Sequence, residues 1–440
     1  MMNLAQAFRL RSDTRLALVG AGGKTVALFT LARQLAPALV TTSTHLGTTQ
    51  TQAADRHLVW PVGEALPLRH ADLRQGVTLV SGGVDTLSSR LQSPSVAQLE
   101  ELAALAGAAH VPLLIEADGA RMRPLKAPAA HEPAIPSFAD TVIVVAGLSA
   151  IGRPLSAEWV HRAEIFAALA ALPGGANITV EAVARLLRHP CGGLKNIPPA
   201  ARRLVLLNQA DDAEHRAMGQ RLAEMLLGSF DAVGVAALQA ESAPPLIFEP
   251  IGGVVLAAGA SRRFGGPKQL LEWEGEPLVR RVARAALAGG VWPVVVVTGA
   301  EAERVAGALA GLDVRIVNNP AWQQGQSASI RTALESLPPE TGAAIFLLAD
   351  QPHTPPTLIR ALVEQHRRTL APIIAPLVRQ QRANPVLFDR QTFADLLALR
   401  GDVGGRALFS RYAVSWLPWH DERVLMDVDT PADYAKLVGG

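Results

Sequence analysis

The sequence predicts an α/β protein of two domains, each a mainly parallel sheet flanked by helices. Short apolar runs alternate with helix-length segments along the whole chain, as when buried strands are joined by crossover helices. At 440 residues the chain exceeds one ordinary hydrophobic core. A linker-like stretch, Glu241-Ser242-Ala243-Pro244-Pro245-Leu246, interrupts the alternation before a fresh strand-loop-helix unit opens at Gly253. Domains are therefore expected over residues 1–240 and 250–440.

The strands are expected where Leu, Ile, Val and Thr cluster. In the first domain these runs cover residues 16–19, 38–42, 77–80, 113–116, 141–145 and 203–207. The first leads into a glycine-rich turn and the fourth ends in acidic residues. In the second domain they cover 253–256, 294–298, 314–317, 344–348 and 372–375, with helices such as 278–288 and 357–366 between them. No solenoid-period repeat and no low-complexity tract is present.

Composition narrows the function classes. Apolar residues make up 49% and charged residues 18%, so the chain is globular rather than disordered. A net charge of +2 gives no field that argues for nucleic acid or a membrane surface. The lone Cys191 excludes an intramolecular disulfide and a thiolate cluster, and reads as buried or incidental rather than reactive. The amino terminus lacks the apolar core of a signal peptide, and no run approaches the roughly 20 apolar residues of a membrane helix. A cytoplasmic protein is expected.

The richest segment runs Leu256-Ala257-Ala258-Gly259-Ala260-Ser261-Arg262-Arg263-Phe264-Gly265-Gly266-Pro267-Lys268, directly after a strand. Small residues let backbone N–H groups approach a phosphate chain, and the cations offset its charge. Such a loop lies where open α/β sheets bind ligands, beyond the strands' carboxyl ends. It matches neither the P-loop nor the G-x-G-x-x-G fingerprint. The run 344–348 ends in Ala349-Asp350-Gln351-Pro352, which sets Asp350 to hold Mg²⁺ against a triphosphate. Met426-Asp427-Val428-Asp429-Thr430-Pro431 offers two carboxylates two apart. It equally suits a helix start, with Asp429 or Thr430 as N-cap and Pro431 at the first position.

The loop, of form L-A-A-G-x-S-x-R-x-G-x-x-K, resembles the signature of molybdenum cofactor cytidylyltransferases, and the likeness runs from about Ile251 to the end. It implies a Rossmann-like nucleotidyltransferase domain with CTP and molybdopterin cofactor as substrates and Mg²⁺ as cofactor. Leu256, Ala257, Ala258, Gly259 and Ser261 would line the nucleotide, Arg263 and Lys268 would act on its triphosphate, and Asp350 and Asp429 would hold the metal, with Asp427 as second choice. Gln324-Gly325-Gln326-Ser327-Ala328-Ser329 would wrap the nucleotide through Ser327 and Ser329, and Thr298 would face the base. Arg382 and Arg406 would meet the acceptor's phosphate. The guanylyltransferase sister family commonly has glycine at the position of Ala258, so its methyl favours the smaller pyrimidine; one methyl is worth only ~1–3 kcal/mol of discrimination. Ala349 departs from the family's frequent glycine.

In the first half, Leu18-Val19-Gly20-Ala21-Gly22-Gly23-Lys24-Thr25 follows a strand and opens a helix, ending as a phosphate-binding P-loop does but with leucine in place of its first glycine. Leu113-Leu114-Ile115-Glu116-Ala117-Asp118 reads as a strand ending in metal-binding acids. Asn208-Gln209-Ala210-Asp211 resembles the guanine-reading N-K-x-D, with Gln209 for lysine. With Thr41-Thr42-Ser43-Thr44-His45, Glu116-Ala117-Asp118-Gly119-Ala120-Arg121 and Leu125-Lys126-Ala127-Pro128-Ala129-Ala130-His131-Glu132-Pro133, these segments resemble the selenium-dependent hydroxylase accessory proteins over about residues 1–235.

That likeness implies a P-loop-like domain whose second nucleotide site uses Gly22, Gly23, Lys24, Thr25, Asp118, Asn208 and Asp211. His45 and His131 are candidate ligands or structural histidines. An apo molybdenum hydroxylase is the implied partner. The rivals are a guanylyl or sugar-phosphate nucleotidyltransferase, and a non-catalytic nucleotide-binding maturation factor.

Overall fold

The computed structural model describes residues 2–85, 90–240, 243–261 and 264–439. Glu241 and Ser242 of the expected linker, and Arg263 with its neighbour Arg262, lie outside them. The chain divides into two compact units, Met1–Phe248 and Glu249–Gly440.

The first unit is built on a nine-stranded sheet in the order Leu246–Phe248, Ala232–Val235, Arg202–Asn208, Thr141–Gly147, Arg15–Gly20, Leu113–Glu116, Ala38–Thr42, Val77–Ser81, Arg56–Val59. All neighbours pair in parallel except Leu246–Phe248, an antiparallel edge. Strand residues alternate between faces. Ala17, Val19, Val142, Val144, Val205 and Leu207 enter one apolar cluster. The register sets Leu39, Val80, Leu113 and Ile115 on the same face, in a separate cluster with Trp60 and Leu102, while Leu16, Leu18, Val40 and Leu114 are buried on the opposite face. Burial on both faces explains why these strands read as continuous apolar runs.

In the second unit the order is Arg315–Asn318, Val294–Thr298, Ile251–Leu256, Ala343–Leu348, Val386–Asp389, Ile373–Val378, Gln381–Arg382, with Val414–Pro418 also pairing Ile373–Val378. The same alternation sends Val255, Val294, Val296, Ile345 and Leu347 into the cluster under helices Leu278–Ala288 and Pro356–Thr369. Val254, Val295, Val297, Ala344 and Phe346 enter the cluster under helix Gln326–Ser336. The expectation of a mainly parallel sheet needs one amendment. Val386–Asp389 lies antiparallel between Ala343–Leu348 and Ile373–Val378. The run 386–388 is not among the expected strands; it follows Asn384-Pro385, and proline removes a ladder donor ahead of it.

Candidate functional site

Strands Ile251–Leu256 and Ala343–Leu348 pair with Leu256 opposite Leu348, so the segments that follow them leave the sheet side by side. One is the glycine-rich loop and the other is Ala349-Asp350. They border a cleft of about 570 Å³ at the strands' carboxyl ends, facing the start of helix Gln326–Ser336. Leu256, Ala257, Ala258, Gly259, Ser261, Lys268 and Asp350 all line it, together with Trp322, Gln326, Ser329 and Asp402.

The loop is held from beneath by Gln269, which is 3% exposed. Its amide donates to the carbonyls of Gly259 at 3.2 Å and Ala257 at 3.5 Å, and its Oε1 accepts from Ser261 Oγ at 3.2 Å. Ser261 sits in the left-handed region, with φ 51°, and its Oγ also accepts from the Lys268 N–H. Above Gly259 no atom of the described residues lies within 4 Å of an added Cβ, so the backbone there is open to a ligand. Sequence reasoning missed Gln269; the signal was its place directly after Lys268, on the short 3₁₀ turn that closes the loop.

The charges meet at Lys268. Its Nζ lies 2.5 Å from Asp350 Oδ2 and 2.6 Å from Asp429 Oδ1. Burial opposes its positive charge, but the two carboxylates outweigh burial and raise its pKa above the usual lysine value. Asp350 Oδ1 and Gln351 Oε1 are buried and have no hydrogen-bond partner among the described residues. Asp427 accepts from the Gln351 amide; burial lifts its pKa above the ordinary carboxyl range, with Asp350 and Asp429 adding to the rise. Thr430 caps the last helix, exchanging bonds with Asp433 at 3.3 and 2.9 Å. That resolves the N-cap alternative and leaves Asp429 to Lys268.

Two expected contacts are absent from this cleft. Thr298 is 1% exposed, on a strand one step away. Ser327 is 2% exposed and donates its Oγ to the Gly401 carbonyl at 2.7 Å. Helix Gln326–Ser336 begins with the Gln326 N–H on Asp402 Oδ1 at 3.2 Å, and that register turns Ser329 rather than Ser327 to the cleft. Asp402 was not anticipated.

Arg382 and Arg406 line a neighbouring cleft of about 550 Å³ that shares Leu256, Gln326, Leu348 and Asp402 with the first. Phe346, Phe388 and Phe409 form its aromatic wall, with edge contacts at 5.7 and 6.4 Å, and the Arg382 guanidinium lies 4.9 Å from the Phe409 ring centre. Burial, and then the proximity of Arg406, lowers the Arg382 pKa.

In the first unit, Gly20, Gly22 and Gly23 all have positive φ, which carries the chain sharply from strand Arg15–Gly20 into helix Lys24–Gln34. Lys24 is 5% exposed and folds back to donate to the Gly20 carbonyl at 2.7 Å while pairing with Asp118 Oδ1 at 3.1 Å. Asp118 also accepts from the Gly20 N–H and from Lys126 at 2.7 Å, and Lys126 continues to Glu132 at 2.8 Å. Asp118 thus fastens the loop. The carboxylate that faces Thr25 is Glu116, whose Oε2 accepts from Thr25 Oγ1 at 2.9 Å. Burial raises the Glu116 pKa. Glu116 was read among the acids that close this strand, but the site role was assigned to Asp118 rather than to it.

Asn208 donates to the Gly22 carbonyl at 2.7 Å, and Asp211 is exposed. His45 and His131 are both exposed, outside this network. Cys191 is exposed as well, which removes the buried alternative of the two expected for it.

Two family descriptions match the chain, the YqeC protein over residues 16–164 and the MobA-like NTP transferase domain over residues 253–416. "Uncharacterized protein YqeC" of Escherichia coli is 33% identical over 212 residues, spanning 47% of this chain and 79% of that protein. "Nicotine blue oxidoreductase" of Paenarthrobacter nicotinovorans is 33% identical over 199 residues, 42% of this chain and 95% of that protein. "Probable molybdenum cofactor guanylyltransferase" of Natronomonas pharaonis is 37% identical over 114 residues, 26% of this chain and 55% of that protein. The chain therefore belongs to the YqeC family in its first half and to the MobA-like nucleotidyltransferases in its second.

Proposed function

We propose that the second unit is a molybdenum cofactor cytidylyltransferase, which joins CMP from CTP to the terminal phosphate of molybdopterin cofactor and releases pyrophosphate. The observation that carries this reading is Lys268 held between Asp350 and Asp429 beside the open loop at Gly259. The acceptor phosphate is ionised at neutral pH, so its attack on the α-phosphate needs no general base. Positioning and charge neutralisation carry the catalysis. The loop N–H groups and Lys268 hold the triphosphate, and Arg263 is assigned to the same charge. Arg382 and Arg406 hold the acceptor's phosphate beside the aromatic wall.

Mg²⁺ is the cofactor of this reading, and the residues fit it. Asp350 Oδ1 is a buried acceptor without a partner among the described residues, and Asp429 lies across Lys268 from it. Among the described residues no group of three or more His, Cys, Asp or Glu is arranged to hold a metal unaided. Mg²⁺ bound through one or two carboxylates and completed by substrate phosphates matches that donor set. When bound it would neutralise triphosphate charge.

GTP is the second reading, favoured by similarity to the guanylyltransferase of Natronomonas pharaonis. In the first unit, residues 20–25 and Thr25 with Glu116 support a P-loop-like phosphate site. An apo molybdenum hydroxylase is the proposed recipient of the product, and the cytoplasm its compartment.

The test is pyrophosphate release with Mg²⁺ and molybdopterin cofactor, with CTP and GTP offered separately. Turnover with CTP is expected. Preference for GTP would move the protein to the guanylyl branch, and no turnover with either would overturn the reading. A redox reaction in place of pyrophosphate release would favour the oxidoreductase chemistry named for the Paenarthrobacter relative.

A further inference from the structure

The first unit holds a motif that the transferase reading leaves unused. Strands Arg15–Gly20, Thr141–Gly147, Arg202–Asn208 and Ala232–Val235 lie next to one another in parallel, so their carboxyl ends form one edge. Asn208, 4% exposed, ties that edge together. Its amide donates to the Gly22 carbonyl at 2.7 Å, and its Oδ1 accepts from the Leu238 N–H at 3.1 Å. The segment after Ala232–Val235 is thereby fixed to the loop that precedes Lys24.

Beyond Asn208, the N–H of Ala210 donates to the Ala236 carbonyl at 3.1 Å, so Asp211 and Ala237 follow directly on a bonded pair. Of the two adjacent aspartates, Asp212 is consumed by the next helix, accepting from the His215 N–H at 2.8 Å and from its ring. Asp211 is left exposed, without a hydrogen bond or ion pair among the described residues. Ala237 is 7% exposed, and its N–H has no acceptor among the described residues. An exposed carboxylate and an unused N–H thus follow one bonded pair at the same strand edge, and that is a specific combination. Guanine presents the complement on one edge: the O6 acceptor, then the N1–H and 2-amino donors. Adenine lacks the paired donors, and cytosine and uracil lack the full set.

We propose that the first unit binds a guanine nucleotide, with the phosphates at residues 20–25 and the base read by Asp211 and the Ala237 N–H. This rests on the phosphate site assigned above to Lys24 and Thr25, and it adds the identity of the base. Gln209 is turned away from a base-reading role, since its Oε1 accepts from Ser149 Oγ at 2.7 Å.

The test uses the full chain with Mg²⁺, and the part of the binding that is lost in Lys24→Ala reports the first unit. Fluorescent N-methylanthraniloyl-GDP is the probe, displaced by GDP, ADP, CDP and xanthosine 5′-diphosphate. GDP should compete at least tenfold better than ADP or CDP. Asp211→Asn should weaken GDP at least tenfold and strengthen xanthosine diphosphate by a similar factor, because an amide donates to the O2 that replaces the 2-amino group. That gain cannot come from misfolding. Lys24→Ala should weaken every nucleotide alike. Equal binding of all bases with Lys24 dependence would overturn the base assignment while leaving the phosphate site intact. An unchanged order of nucleotides in Asp211→Asn would do the same. Absence of any probe binding that depends on Lys24 would overturn both.

Discussion

At the scale of single residues, Lys268 is the hinge of the carboxy-terminal site. Its ammonium lies between Asp350 and Asp429, a position we propose it shares with the divalent cation. Lys268→Met should lower kcat by a factor of about 10²–10³, the usual loss for a preorganised donor worth ~2.7–4 kcal/mol in the transition state. The same variant should bind Mn²⁺ alone about tenfold more tightly, since it removes a like charge from the two carboxylates. Calorimetry of Mn²⁺ binding separates these effects, and a weaker Mn²⁺ affinity would contradict the shared position. Ala258 borders the same cleft. Ala258→Gly should shift the ratio of kcat/KM for CTP over GTP towards GTP, by no more than ~1–3 kcal/mol. Rates with the two nucleotides, measured side by side, check it.

At the scale of elements, the strand-loop-turn from Ile251 to Leu270 acts as a unit because Gln269 pins its loop. Gln269→Ala removes bonds to Ala257, Gly259 and Ser261, each worth ~0.5–1.5 kcal/mol. It should raise KM for the nucleotide about tenfold or more while changing kcat less, and steady-state kinetics read this directly. Equal effects on kcat and KM would show that the loop acts in the transition state instead. Elements also show how far sequence reading reaches. Strands Ala38–Thr42, Leu113–Glu116 and Val294–Thr298 and helix Leu278–Ala288 have the bounds their apolar patterns predict, because burial on fixed faces leaves a period in the sequence. Val386–Asp389 and Val414–Pro418 left no comparable trace. The first hides behind Asn384-Pro385, and the second is only half-buried.

At the scale of the whole molecule, the first unit is held together by a buried ionic chain. Lys24 and Lys126 meet Asp118, Lys126 meets Glu132, and Arg162 closes it on Glu132 at 2.7 Å. Lys126→Met takes one of two basic partners from each acid, leaving Asp118 to Lys24 and Glu132 to Arg162, and should cost the unit ~1–3 kcal/mol, seen as an earlier thermal transition. Burial alone would raise the Glu132 pKa, but Lys126 and Arg162 overcome it and bring the value from 4.5 down to about 2. A depressed carboxyl pKa contributes stability that is complete above pH 4.5 and is lost as pH falls through about 2. Acid titration of the unfolding midpoint should therefore steepen across that window in the wild type and flatten in Lys126→Met. A profile that is the same in both would show that the chain of charges is not what acid breaks.

The sequence by itself determined the alternating α/β architecture, the loop after Leu256, Asp350 at a strand end and the loop before Lys24. Each is written locally, as a run of apolar residues, a cluster of glycines or an acid directly after a strand. Only the tertiary structure decided which polar groups meet. Lys268 and Asp429 are far apart in the chain yet lie 2.6 Å apart in space. Ser329 replaces Ser327 at the cleft because Asp402, from a distant turn, sets the start of their helix. Glu116 rather than Asp118 faces Thr25, because Lys126 draws Asp118 into the ionic chain. Such choices depend on which strand ends lie adjacent and on where each buried charge finds its partner, and no short stretch of residues encodes either.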